Sequence, residues 1–155
     1  MSVTPGGTPD AAGAAGASPE GQVGASIVPA ILVMHAELAQ ALIHAAEKVY
    51  GPIHDVLTIS NNGLSRGALE EAINDAVAGW KQGGLVLTDF WGGSCHTCGM
   101  AAARGKGEVV ILTGVNLPVL LDYLHNRDKG DAASLAERLQ QKGRESIRTQ
   151  RGTPA

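Results

Sequence analysis

A chain of 155 residues, 44% hydrophobic and 17% charged, has the size and make-up of one globular domain with a real core. A net charge of -3 and 3% aromatic residues exclude a basic surface for nucleic acid, so partners are expected to be proteins or small molecules. No stretch reaches the ~20 apolar residues that cross a bilayer, the start lacks a secretory pattern, and Cys95 and Cys98 alone cannot frame a disulfide fold. A cytoplasm that keeps thiols reduced is the expected setting.

Residues 1–26 are dominated by Gly, Ala, Pro, Ser and Thr, with only Asp10 and Glu20 charged, and read as a disordered extension. An α/β domain is expected over residues 27–150, with a loose tail over residues 151–155. The branched apolar run ending at Met34 predicts a strand buried on both faces, starting near Ala30 because Pro29 cannot donate to a ladder. Helical spacing over residues 36–50 gives an apolar stripe of Leu38, Leu42, Ala45 and Val49, stopped by Gly51-Pro52. A second strand runs from Val56 to Ser60, followed by the turn Asn61-Asn62-Gly63. The helix from Ser65 to Trp80 presents Leu69, Ile73, Ala76, Val77 and Trp80 on one face.

The strand Leu85 to Thr88 comes next, then a close-packing helix of small residues from Ser94 to Ala103, then a strand from Val109 to Thr113. Pro118 opens another helix, with Leu120, Leu121 and Leu124 as its buried face. A final amphipathic helix spans Asp131 to Lys142, and Glu145 to Thr149 alternates like a short antiparallel edge strand. The alternation predicts a doubly wound, mainly parallel sheet with helices on both faces and right-handed crossovers.

In such sheets chemistry gathers beyond the carboxyl ends of the strands. His35 ends the first strand. Asp89 and the turn Gly92-Gly93-Ser94 follow the third, and Gly114, Asn116 and Pro118 follow the fourth. A histidine that accepts phosphate needs one ring nitrogen free and the other held by an acceptor. Asp89 is placed to be that acceptor. Gly92, Gly93 and Ser94 open a helix whose free N–H groups and dipole suit an anion, and Ser94 could add its hydroxyl or cap the helix. These residue types leave several reaction types open.

Three segments carry a resemblance. Ile31-Leu32-Val33-Met34-His35-Ala36-Glu37-Leu38-Ala39 is similar to the active-site segment of mannose-family enzyme IIA components of the phosphoenolpyruvate-dependent sugar phosphotransferase system. Thr88-Asp89-Phe90-Trp91-Gly92-Gly93-Ser94 resembles that family's Asp-x-Trp-Gly-Gly-Ser loop, and Gly114-Val115-Asn116-Leu117-Pro118 its Gly-x-Asn-x-Pro segment. The resemblance implies that His35 takes phosphate from the histidine-containing phosphocarrier protein and passes it to an enzyme IIB. Asp89 would orient His35, while Ser94 and the loop amides hold the phosphate. It implies a homodimer that exchanges Glu145 to Thr149, no cofactor, and contact with the membrane only through permease partners. Two positions depart from the pattern: Ala36 stands where the family has Gly, and Cys95 where it has Pro.

Cys95-His96-Thr97-Cys98 supports a rival reading, a regulatory or redox-sensing module on the same fold. A thiol at a helix start is favoured as thiolate by the dipole, so Cys95 is expected to be a low-pKa group near His35. Zinc held by the two thiols with His96 or His35 is a further alternative, set against the simpler reading of two small residues packing a tight helix. No metal is expected.

Overall fold

The computed structural model describes residues 26–155, so the extension expected over residues 1–26 lies outside the described residues except for Ser26. Four strands, β1 (Ala30–Met34), β2 (Leu57–Ser60), β3 (Gly84–Thr88) and β4 (Val109–Leu112), form one sheet in the order β2-β1-β3-β4, every pair parallel. The helices are α1 (Leu38–Tyr50), α2 (Arg66–Val77), α3 (Ser94–Ala102), α4 (Leu117–Asn126) and α5 (Ala132–Ser146). This is the doubly wound α/β architecture that the alternation predicts. None of the described helices is long and apolar enough to cross a membrane.

Every residue of β1 is buried. A strand covered on both faces has no solvent side, which is why its sequence is a continuous apolar run. Ala30, Leu32 and Met34 join the core shared with α1, α4 and α5, while Ile31 and Val33 join the core shared with α2 and α3. Each large aliphatic side chain so removed from water contributes about 1.5–3 kcal/mol.

The α2 face is the expected one, with Leu69, Ile73 and Val77 buried, and the Ser65 hydroxyl capping the helix by accepting the Ala68 N–H. In α1 the buried row is Ala39, Ile43 and Ala46, one position round from the expected stripe. Leu38 is 43% and Val49 67% exposed. Small Ala39 and Ala46 let α1 approach the sheet more closely than a row of leucines would allow.

The C-terminus also differs from expectation. α5 continues past Lys142 to Ser146, so Glu145 and Ser146 are helical, and residues 147–155 pair with no strand among the described residues. The antiparallel edge strand expected over Glu145 to Thr149 is therefore absent from the single chain. Gly143 lies inside α5 and packs closely against α4, where a Cβ would stand 3.1 Å from Val119 Cγ2. Ser146 then closes the helix, donating to the Gly143 carbonyl at 2.8 Å and accepting from Asn116 Nδ2 at 3.0 Å.

The chain winds from β1 outward to β2 on one side, and through β3 to β4 on the other. The topological switch point thus lies between β1 and β3, where a ligand crevice opens beyond their carboxyl ends. His35 and Asp89 are the first residues after those two strands.

Candidate active site

Val33 pairs with Thr88, so the two chains leave the sheet side by side and Asp89 reaches His35. Asp89 Oδ2 accepts the main-chain N–H of His35 at 3.0 Å and lies 2.8 Å from its ring Nδ1. A carboxylate can only accept, so Nδ1 carries the hydrogen and Nε2 presents a free lone pair. Nε2 lies 3.3 Å from the Ser94 hydroxyl. The Phe90 ring stacks on the imidazole at 4.8 Å, and the Phe90 N–H donates to the other carboxylate oxygen of Asp89 at 3.1 Å. Burial pushes the Asp89 carboxyl up. The hydrogen bonds from the main chain and ring of His35, joined by the ring's attraction whenever it is protonated, outweigh burial and hold the carboxyl below its ordinary value.

The glycine turn lies against this pair. A Cβ on Gly93 would stand 2.7 Å from Phe90 Cζ and 3.0 Å from His35 Cε1, so only glycine lets the turn come this close. Gly93 is also the N-cap of α3. Ser94 is the first residue of the helix and makes no cap bond, so of its two expected roles only the one toward His35 is found. Gly92 has φ +83° and donates its N–H to His96 Nδ1 at 3.2 Å, away from the His35 ring. The Gly93 carbonyl accepts from Thr97 twice, from the main-chain N–H at 2.9 Å and the hydroxyl at 2.6 Å.

Sequence reasoning missed two participants. Asn61, read as a turn residue, follows β2 and reaches across to the site. Its Oδ1 accepts the Ala36 N–H at 3.1 Å and its Nδ2 donates to Ser94 Oγ at 3.4 Å. The strand-end rule, applied to β2 as well, would have singled it out. His96 was weighed only as a metal ligand, and nothing in the sequence marks it as the partner of Gly92.

Cys95 and Cys98 are both fully buried in the core between α3, α2 and the sheet. Burial, with the Asp89 charge beside it, pushes the Cys95 thiol up to about 11, and burial pushes Cys98 up as well. This is the reverse of the low-pKa thiol expected at a helix start. Desolvation of a thiolate outweighs the pull of the dipole here. His35, Asp89 and Cys95 can each offer a ligand atom within 4.8 Å of the others. A cation among them would have to part the His35–Asp89 bond and ionise a thiol that burial keeps neutral, so these residues suit a metal poorly. Neither His96 nor Cys98 belongs to that group.

Residues 30–140 match the family described as EIIA-man, PTS system fructose IIA component. The PTS system sorbose-specific EIIA component of Lacticaseibacillus casei is 27% identical over 113 residues, which cover 70% of this chain and 80% of that protein. The fold is shared with phosphotransferase system component EIIA from Streptococcus agalactiae, at a TM-score of 0.74 and 22% identity over 79% of this chain and 97% of that one. It is shared too with the mannose/sorbose specific IIA subunit from Enterococcus faecalis, at a TM-score of 0.70 and 16% identity over 84% and 99%. The chain belongs to the mannose family of phosphotransferase-system IIA components, proteins with a phosphoryl-transfer role in sugar uptake.

Proposed function

We propose that His35 accepts a phosphoryl group on Nε2 from the histidine-containing phosphocarrier protein and passes it to an enzyme IIB. The observation that carries this reading is the 2.8 Å contact that commits Nδ1 to Asp89 and leaves Nε2 facing Ser94. In the transfer the Nε2 lone pair attacks phosphorus. The phosphorus–nitrogen bond of the donor breaks, and its electron pair leaves with the donor imidazole. The His35 ring then carries positive charge, which ionised Asp89 compensates without taking the Nδ1 proton. The Ser94 hydroxyl and the free N–H groups of Gly93 and Ser94 receive the phosphoryl oxygens at the start of α3. Gly92 takes part by shaping the turn. One phosphorus–nitrogen bond replaces another, so the exchange calls for no cofactor, and delivery to the enzyme IIB runs the same steps outward.

The working unit is the domain over residues 27–150, in the cytoplasm, meeting the membrane only through permease partners. A homodimer that exchanges the segment after α5 belongs to the same reading. Ile147 supports it, being extended and 80% exposed directly after the helix. The test is intact mass after incubation with phosphoenolpyruvate, enzyme I and the phosphocarrier protein, with His35→Ala alongside. One acid-labile phosphate on the wild type and none on the variant is the expected result. An unmodified wild type, with active donors, overturns it.

A further inference from the structure

His96 is 9% exposed, and its ring Nδ1 stands 3.2 Å from the Gly92 nitrogen. A main-chain N–H can only donate, so His96 Nδ1 must accept, which fixes the ring as the neutral tautomer with its hydrogen on Nε2. The exposed Trp91 indole lies over the ring at 4.5 Å and 32°, closing its outer side. Gly92 and Gly93 are thus each tied to the residue four places on: Gly92 through its N–H to His96, and Gly93 through its carbonyl to Thr97. The tie matters because the turn it holds has no slack on its inner side. Gly93 approaches the His35 ring so closely that a single added carbon would stand 3.0 Å from Cε1. A turn released from His96 would carry the Gly93 and Ser94 amides away from the place where the phosphoryl oxygens arrive.

We propose that His96 is a positioning residue for phosphoryl transfer: by accepting the Gly92 N–H it locks the glycine turn that presents the start of α3 to His35. The inference rests on the carrier reading of His35. It assigns a task to a residue that makes no contact with the reacting atoms and acts only through the Gly92 amide.

Two variants separate this role from simple packing. Asn Oδ1 occupies the place of His Nδ1 and accepts in the same direction, so His96→Asn keeps the tie while losing the ring. His96→Phe keeps a flat ring under Trp91 and loses the acceptor. Phosphorylation of each is followed by quenched single-turnover mass measurement against rising phosphocarrier protein, after circular dichroism shows native folding. His96→Phe should transfer about 10- to 100-fold more slowly at saturation, the usual cost of a small misplacement, with half-saturation unchanged. His96→Asn should stay within about 3-fold of wild type, since its acceptor is retained. Wild-type speed in His96→Phe, or equal slowing in both variants, would overturn the role. Nitrogen-15 spectra of the free protein read the tie independently: the expected signature is a His96 Nδ1 without hydrogen, coupled to the Gly92 amide. If that signature is present while wild type takes up no phosphate and His35→Ala behaves the same, the carrier reading has failed and the positioning role falls with it. If wild type is phosphorylated and the signature is missing, the inference about His96 alone has failed.

Discussion

Ala36 sits at φ +49°, a left-handed conformation that costs a residue with a Cβ about 1–2 kcal/mol. The conformation is imposed from β2, because Asn61 Oδ1 takes the Ala36 N–H and the Ser60 hydroxyl donates to its carbonyl at 2.7 Å. Glycine would remove the strain and add roughly 0.5–1 kcal/mol of chain entropy to the unfolded state. The strain is the larger quantity, so Ala36→Gly should stabilise the fold by about 0.5–1 kcal/mol in urea denaturation. Destabilisation would show that the Cβ packs usefully. Asp89 gives a second prediction. Its native pKa is depressed, so its contribution to stability is present above the unfolded value of about 4 and is lost as pH falls through the lower native value. Asp89→Asn should slow phosphorylation by about 10²–10⁴-fold, since shape is kept and charge is lost. It should also flatten the fall in stability below about pH 4, and an unchanged acid limb would assign that loss to other carboxylates. His35, Asp89 and Ser94 were legible in the sequence because strand ends and a familiar loop both mark them. Asn61 and His96 were not, since their roles are hydrogen bonds to main-chain groups that become neighbours only after the sheet and the turn have formed.

The helices were legible by existence and order, and less so by face and end. An apolar stripe counts side chains and ignores how closely two backbones approach, which is why the row of Ala39, Ile43 and Ala46 faces the core, Leu42 packs at its margin, and Leu38 and Val49 are left exposed. The end of α5 was hidden for a related reason. The expected end at Lys142 falls just before Gly143, whose lack of a side chain lets α5 lie against Val119. Asn116 joins these two helices. Its Oδ1 accepts the Val119 N–H at 3.1 Å as the cap of α4, and its Nδ2 donates to Ser146 at the end of α5. Asn116→Ala removes both, and should cost about 1–2 kcal/mol by chemical denaturation. Asn116→Ser keeps a capping oxygen and should recover about half of that loss. Equal losses in the two variants would show that the cap contributes nothing.

The sheet as a whole was legible because a strand with two covered faces leaves a continuous apolar run, and because parallel crossovers leave few possible orders. The edge strand read over Glu145 to Thr149 is not formed by the described residues of one chain, and under the exchange reading it would need a second copy to pair with. Chain ending at Ser146, with residues 147–155 deleted, should run as a monomer in sedimentation while wild type runs as a dimer. Identical masses would end the exchange reading and leave the catalytic proposal intact. One oxygen has a last consequence. Asp89 Oδ2 holds the backbone of β1's end and the imidazole together, so the ring has little freedom to swing when it is loaded or emptied. The two forms then offer visitors one outline and differ by about one unit of net negative charge, the dianionic phosphoryl group being partly offset by the positive ring that keeps its Nδ1 hydrogen. Donor and recipient must sort full from empty by electrostatics, and the direction of traffic should become less selective as salt rises.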